Sequence, residues 1–131
     1  MMSSIYTINA PKPIGPYSQA ITFKNFIITS GQIPIDIKSN TIPKNINEQT
    51  YITLKNIKSI LIAANFNIKN IVKTTIYIVN MEEIDQINQT YETFFIKNNV
   101  SYFPSRTCIE VSALPQKVKI EIEAIAYKND K

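Results

Sequence analysis

From Asn47 to Ala64 the apolar residues Leu54, Ile57, Leu61 and Ala64 recur at helical spacing, with Ile60 beside them and Glu48 in the first turn. That period marks one face of an amphipathic helix, and the early acid complements the positive end of its dipole, so a helix is predicted over 47–64. Asn65 or Asn67 can take the left-handed conformation that closes it. A second helix is predicted after Asn80, which with Glu83 approximates a capping box; Ile84, Ile87, Tyr91, Phe94 and Phe95 form its apolar stripe, with Asn88 at the stripe's edge.

The remaining apolar runs have strand character. Two short ones, near Ala20 to Phe23 and Phe26 to Ser30, flank Lys24-Asn25 as a hairpin would, and Gly31 ends the second. IVKTTIYIV, residues 71–79, is β-branched and too short for a helix, which predicts a largely buried strand. RTCIEVS alternates, and VKIEIEAIAY alternates over a longer span, placing Val118, Ile120, Ile122, Ala124 and Ala126 on one face and Lys119, Glu121 and Glu123 on the other. Between these elements, the prolines and Gly15 of APKPIGPYSQA pin a defined loop that delivers Tyr17 and Ser18, and residues 32–44 read as a loop with at most one short strand around Ile33 to Ile35. The order predicts an α+β domain over 1–131, with two helices packed on one face of a mixed sheet.

Composition narrows the chemistry. A chain of 131 residues, 44% hydrophobic and 18% charged, is long enough for one packed core and suits a globular protein rather than a disordered one. The net charge of +4 is spread over scattered lysines with no basic run, which reads as a solvated surface rather than a nucleic-acid stripe. One cysteine excludes an internal disulfide, and neither a leader-like segment nor an apolar run long enough to cross a bilayer is visible; the expectation is a reducing cytoplasm. With no histidine and a single cysteine, histidine-based triads and the usual zinc sites are excluded, so no metal is expected.

Arg106 is the only arginine among 14 basic residues, in a chain that otherwise uses lysine throughout. A guanidinium is a planar fork that grips a carboxylate through two parallel hydrogen bonds, which lysine cannot do. If the last two strands pair as antiparallel neighbours, Arg106 falls across from the Glu121 to Glu123 region, on a sheet face that a partner subunit could cover. The plainer reading is an exposed ion pair of little energetic value. Taken one at a time, Tyr17 reads first as a ring that plugs the core, Ser30 as the end of a strand, Asn88 as a helix-surface residue and Cys108 as a small hydrophobe.

Four stretches in this order resemble the RidA (YjgF) family of reactive-intermediate deaminases: IGPYSQA, ITSGQIP, NQTYETFF and PSRTCIEVSALPQKVKIEIEAIA. The resemblance implies a chorismate-mutase-like fold, a homotrimer with sites at its subunit interfaces, and hydrolysis of 2-imino acids such as 2-iminobutanoate and 2-iminopropanoate to 2-keto acid and ammonia. Those substrates are released by pyridoxal-phosphate-dependent dehydratases; no cofactor of the chain's own is implied. The family's functional positions match Tyr17, Ser30, Gly31, Asn88, Arg106, Cys108 and Glu121. Arg106 would clamp the substrate carboxylate, Glu121 would position or deprotonate water and shuttle a proton, Gly31 and Cys108 would orient nitrogen and water through backbone groups, and Tyr17, Ser30 and Asn88 would shape the pocket. Two departures are Asn65-Phe66, where a glycine stop is commoner, and Ser105, where many members carry alanine.

Two other readings differ in what they predict. Members of such families are also described as translation inhibitors or endoribonucleases, which would bring steep salt dependence of RNA binding. A non-catalytic regulatory trimer would bind a small carboxylate without turnover.

Overall fold

The computed structural model describes residues 1–129. Along the chain run β1 (Met2–Ile5), β2 (Ala20–Phe23), β3 (Phe26–Thr29), α1 (Ile46–Ala63), β4 (Ile71–Ile78), α2 (Ile84–Lys97), β5 (Ser105–Glu110) and β6 (Ile120–Tyr127), with single 3₁₀ turns at 68–70, 81–83 and 115–117. The strands form one sheet in the order β1-β2-β3-β6-β4-β5. Every pairing is antiparallel except β4 with β5, so the sheet is mixed, and both helices pack on one of its faces.

Local chemistry explains the helix limits. The Asn45 side chain accepts from the Glu48 amide at 2.8 Å, and its own amide donates to the Glu48 carboxylate at 2.6 Å, which starts α1. At the other end Asn65 takes φ 66°, a conformation asparagine tolerates, and the Phe66 amide returns to the Leu61 carbonyl at 2.8 Å. Asn80 caps as predicted, but through the Glu82 amide at 3.0 Å, because a 3₁₀ turn intervenes before α2. The predicted stripe faces inward: Ile87, Tyr91, Phe94 and Phe95 are buried.

In β6, Ile120, Ile122, Ala124 and Ala126 are buried under the helices while Glu121, Glu123 and Ile125 lie on the open face. β4 differs from expectation in being buried on one face only, with Thr74, Ile76 and Ile78 inward and Thr75 and Tyr77 outward. The segment around Ile33 to Ile35 forms no strand: Gln32 makes an isolated bridge with Ile122, and Asp36 one with Thr41. β1 lacked a sequence signal because MSSI neither alternates nor carries β-branched residues beyond Ile5.

The larger correction concerns the last two strands. β5 and β6 do not form a hairpin; β4 lies between them, paired in parallel with β5 and antiparallel with β6. α2 serves as the crossover of a β4-α2-β5 unit, the connection that parallel neighbours require. Through this register Arg106 aligns with Thr74 and then Ala124, so it shares the parity of the buried residues and not that of Glu121.

Candidate active site

Gly31 follows the end of β3 and is held against β6 by two backbone hydrogen bonds, from Gln32 N–H to the Ile122 carbonyl at 2.8 Å and from Ile122 N–H to the Gln32 carbonyl at 3.0 Å. No positive φ requires a glycine here. What requires it is space: a Cβ at this position would overlap the Glu121 carboxylate, lying 2.8 Å from its Cδ and 3.0 Å from its Cγ. The carboxylate therefore lies on bare backbone. Glu121 is half-buried, and its carboxyl is raised from the ordinary value first by burial and then by the negative charge of Glu123. Tyr77, opposite Glu121 in the register, has its phenol raised by burial and by the same two carboxylates.

The proline-rich loop reaches this corner through a buried amide. Gln19, 1% exposed, accepts from Thr7 N–H at 2.7 Å and donates to the carbonyls of Thr7 and Pro11, each at 3.0 Å, and of Ala10 at 3.4 Å. Ser30 fastens the other edge: its N–H donates to the Gln19 carbonyl at 2.9 Å and its hydroxyl to the Ser18 carbonyl at 2.6 Å. Tyr17 is 48% exposed, so it does not plug the core. Its ring lies over Gly15, its hydroxyl accepts from Ile14 N–H at 3.4 Å, and it lines a small pocket with Gly31 and Gln116. Gln116 and Lys117 both hold left-handed φ, 54° and 58°, in the turn leading to the buried Val118.

The second cluster lies on the helix side of the edge strand β5. Arg106 is exposed, and its guanidinium lies 5.1 Å over the ring of Tyr91, whose hydroxyl bonds the Thr74 hydroxyl at 2.6 Å. Among the described residues Arg106 forms no ion pair. Cys108, two residues on and on the same face, is half-buried against the core; burial raises its thiol, and the nearby Arg106 charge offsets part of that. Asn88 is exposed on α2, one turn before Tyr91. Ser105 turns the other way and donates to the Val72 carbonyl at 3.0 Å, so it does not border the guanidinium.

Tyr17, Ser30, Gly31 and Glu121 thus gather at one corner, and Arg106 and Cys108 at another, with Asn88 on the helix above. Arg106 and Glu121 are not brought together within the chain. They sit on opposite faces, about 10 Å apart across two strand spacings and about 10 Å along the three residues from Ala124 to Glu121. Sequence signals did not single out Gln19, which reads as an ordinary polar residue until its four partners are seen, nor Tyr91, whose place in an apolar stripe hid its position beneath the arginine.

A family model described as Endoribonuclease L-PSP matches residues 7–128. The chain belongs to this family, which includes RidA and YjgF. A RutC family protein of Buchnera aphidicola subsp. Schizaphis graminum is 62% identical over 124 residues, covering 95% of this chain and 96% of the relative. A protein of Escherichia coli named 2-iminobutanoate/2-iminopropanoate deaminase is 45% identical over 128 residues, covering 98% and 99%. The crystal structure of E. coli TdcF with bound serine superposes with a TM-score of 0.94 at 38% identity, covering 97% of this chain and 99% of that one. All of the candidate residues fall inside the span matched by the Endoribonuclease L-PSP family model.

Proposed function

We propose that the chain hydrolyses 2-iminobutanoate and 2-iminopropanoate to the 2-keto acids and ammonia, in a homotrimer whose sites join the Arg106 cluster of one copy to the Glu121 corner of the next. The observation that carries this reading is Arg106 itself: the chain's only arginine, exposed, with no carboxylate partner among the described residues. A fork so presented suits a small carboxylate from solution. The deaminase name of the E. coli relative, and the serine in TdcF, agree with a small amino-acid-like substrate.

The chemistry then falls to Glu121. As carboxylate it takes a proton from water, and the oxygen adds to the carbon of the protonated imine to give a carbinolamine. The proton passes from Glu121 to nitrogen, the C–N bond breaks and ammonia leaves while the hydroxyl proton moves to the Glu121 carboxylate as the carbonyl forms, and Glu121 then releases that proton to water. A carboxyl raised above the ordinary value by burial holds the proton more readily between the two transfers, a role worth roughly 10² to 10⁴ in rate. Because Arg106 and Glu121 of one chain face apart, a substrate held by both needs two copies; the trimer is the assembly the family resemblance implies.

The test is the release of keto acid from enzymatically generated imine, above the uncatalysed background, by wild type and Arg106→Lys at equal concentration. The wild type is expected to accelerate hydrolysis and the lysine variant to lose most of that rate, since lysine keeps the charge without the fork. No acceleration by folded wild-type protein would remove the hydrolase reading.

A further inference from the structure

The lysines look scattered along the chain, but folding gathers three of them. α1 and α2 pack side by side and leave between them an outward groove of about 710 Å³, on the helix layer. Lys55 and Lys58 enter it from α1 and Lys97 from the last turn of α2, and among the described residues no aspartate or glutamate lines it. Two helices contribute, so no window of the sequence carries the cluster. None of the three forms an ion pair among the described residues, and cations collected without counter-charge favour an anion between them.

The groove also has an apolar part. Tyr51, 47% exposed, meets Phe94 edge to face with ring centroids 6.1 Å apart, and Ile62 is 52% exposed on the same stripe of α1. An inorganic anion would use only the lysines and leave these surfaces wet. A planar ring laid against Tyr51 and Ile62, joined to a phosphate among Lys55, Lys58 and Lys97, would use both, and the volume lies in the range of small-molecule sites.

We propose that the α1/α2 groove binds a ring-bearing organic phosphate of mononucleotide size. The site is separate from the Arg106 and Glu121 clusters and does not depend on the proposed hydrolysis. The test is calorimetric titration of the full chain with AMP at low salt, with adenosine and inorganic phosphate as the two halves of the probe. AMP is expected to bind saturably, at one site per chain, and roughly tenfold or more tighter than either half. The double variant Lys58→Gln/Lys97→Gln is expected to weaken AMP at least roughly tenfold and to flatten its salt dependence, and Tyr51→Ala to weaken it through the ring. Arg106→Lys should leave it intact. These are surface substitutions, so folding is preserved. No saturable binding of AMP, wild-type affinity in the double lysine variant, or loss of binding in Arg106→Lys would each overturn the proposal. Binding of a single-stranded oligonucleotide without binding of AMP would overturn it in favour of a nucleic-acid surface.

Discussion

At Gly31 the missing side chain is a requirement of its neighbour rather than of its own backbone. A methyl group there would overlap the Glu121 carboxylate, and the glutamate is the part able to move. Gly31→Ala is therefore expected to fold with near-wild-type stability but to lose most imine hydrolysis; full activity would show that the placement of Glu121 over this backbone is immaterial. Glu121 itself links activity to pH. Its carboxyl is raised in the folded protein, first by burial, so the base form is lost at a higher pH than for an ordinary glutamate as the solution is acidified. Hydrolysis should fall accordingly toward acid. Stability has the opposite slope: the folded state holds this proton more tightly than the unfolded chain does, so the contribution is full below the ordinary carboxylate range and is lost as pH rises through the raised value. Glu121→Gln should thus melt higher than wild type near neutrality, with the difference vanishing in acid, while hydrolysis is lost. A variant less stable than wild type at neutral pH would contradict that assignment. Arg106 was legible in the sequence as an outlier of composition, but its orientation was not, because the parity of a strand residue is fixed by which strands pair.

At the scale of elements, the helices were legible because their apolar residues repeat at the helical period and asparagines stand at both ends of α1. The sheet was less so. From sequence, the last two strands, joined through Ser112 to Lys117, pair as antiparallel neighbours only by assumption, whereas β5 takes the edge beside β4, where α2 serves as the crossover, and β6 enters between β3 and β4. No local signal reports that choice, which is made by long-range pairing. The loop carrying Tyr17 has a similar dependence on one distant contact set: Gln19 satisfies an amide and three carbonyls from residues 7–11. Gln19→Leu would leave buried groups without partners and is expected to cost about 2 to 4 kcal/mol, read as a lower denaturation midpoint together with faster proteolytic cleavage between residues 7 and 16. Unchanged stability and cleavage would show that the loop is held by its prolines alone.

For the whole molecule, the decisive geometry is the separation of Arg106 from Glu121 on opposite faces of one sheet. On the proposed reading, each copy supplies the arginine to one site and the glutamate to another, and a chain that remained a 14.9 kDa monomer in sedimentation equilibrium would have no complete site. The most direct test mixes two damaged chains. Arg106→Lys and Glu121→Gln are each expected to be nearly inactive alone. Co-refolded in equal amounts into mixed trimers, they should recover about a quarter of wild-type hydrolysis, because a site is intact when its arginine comes from the second variant and its glutamate from the first. Mixed assemblies no more active than the two variants measured separately would contradict a site shared between copies.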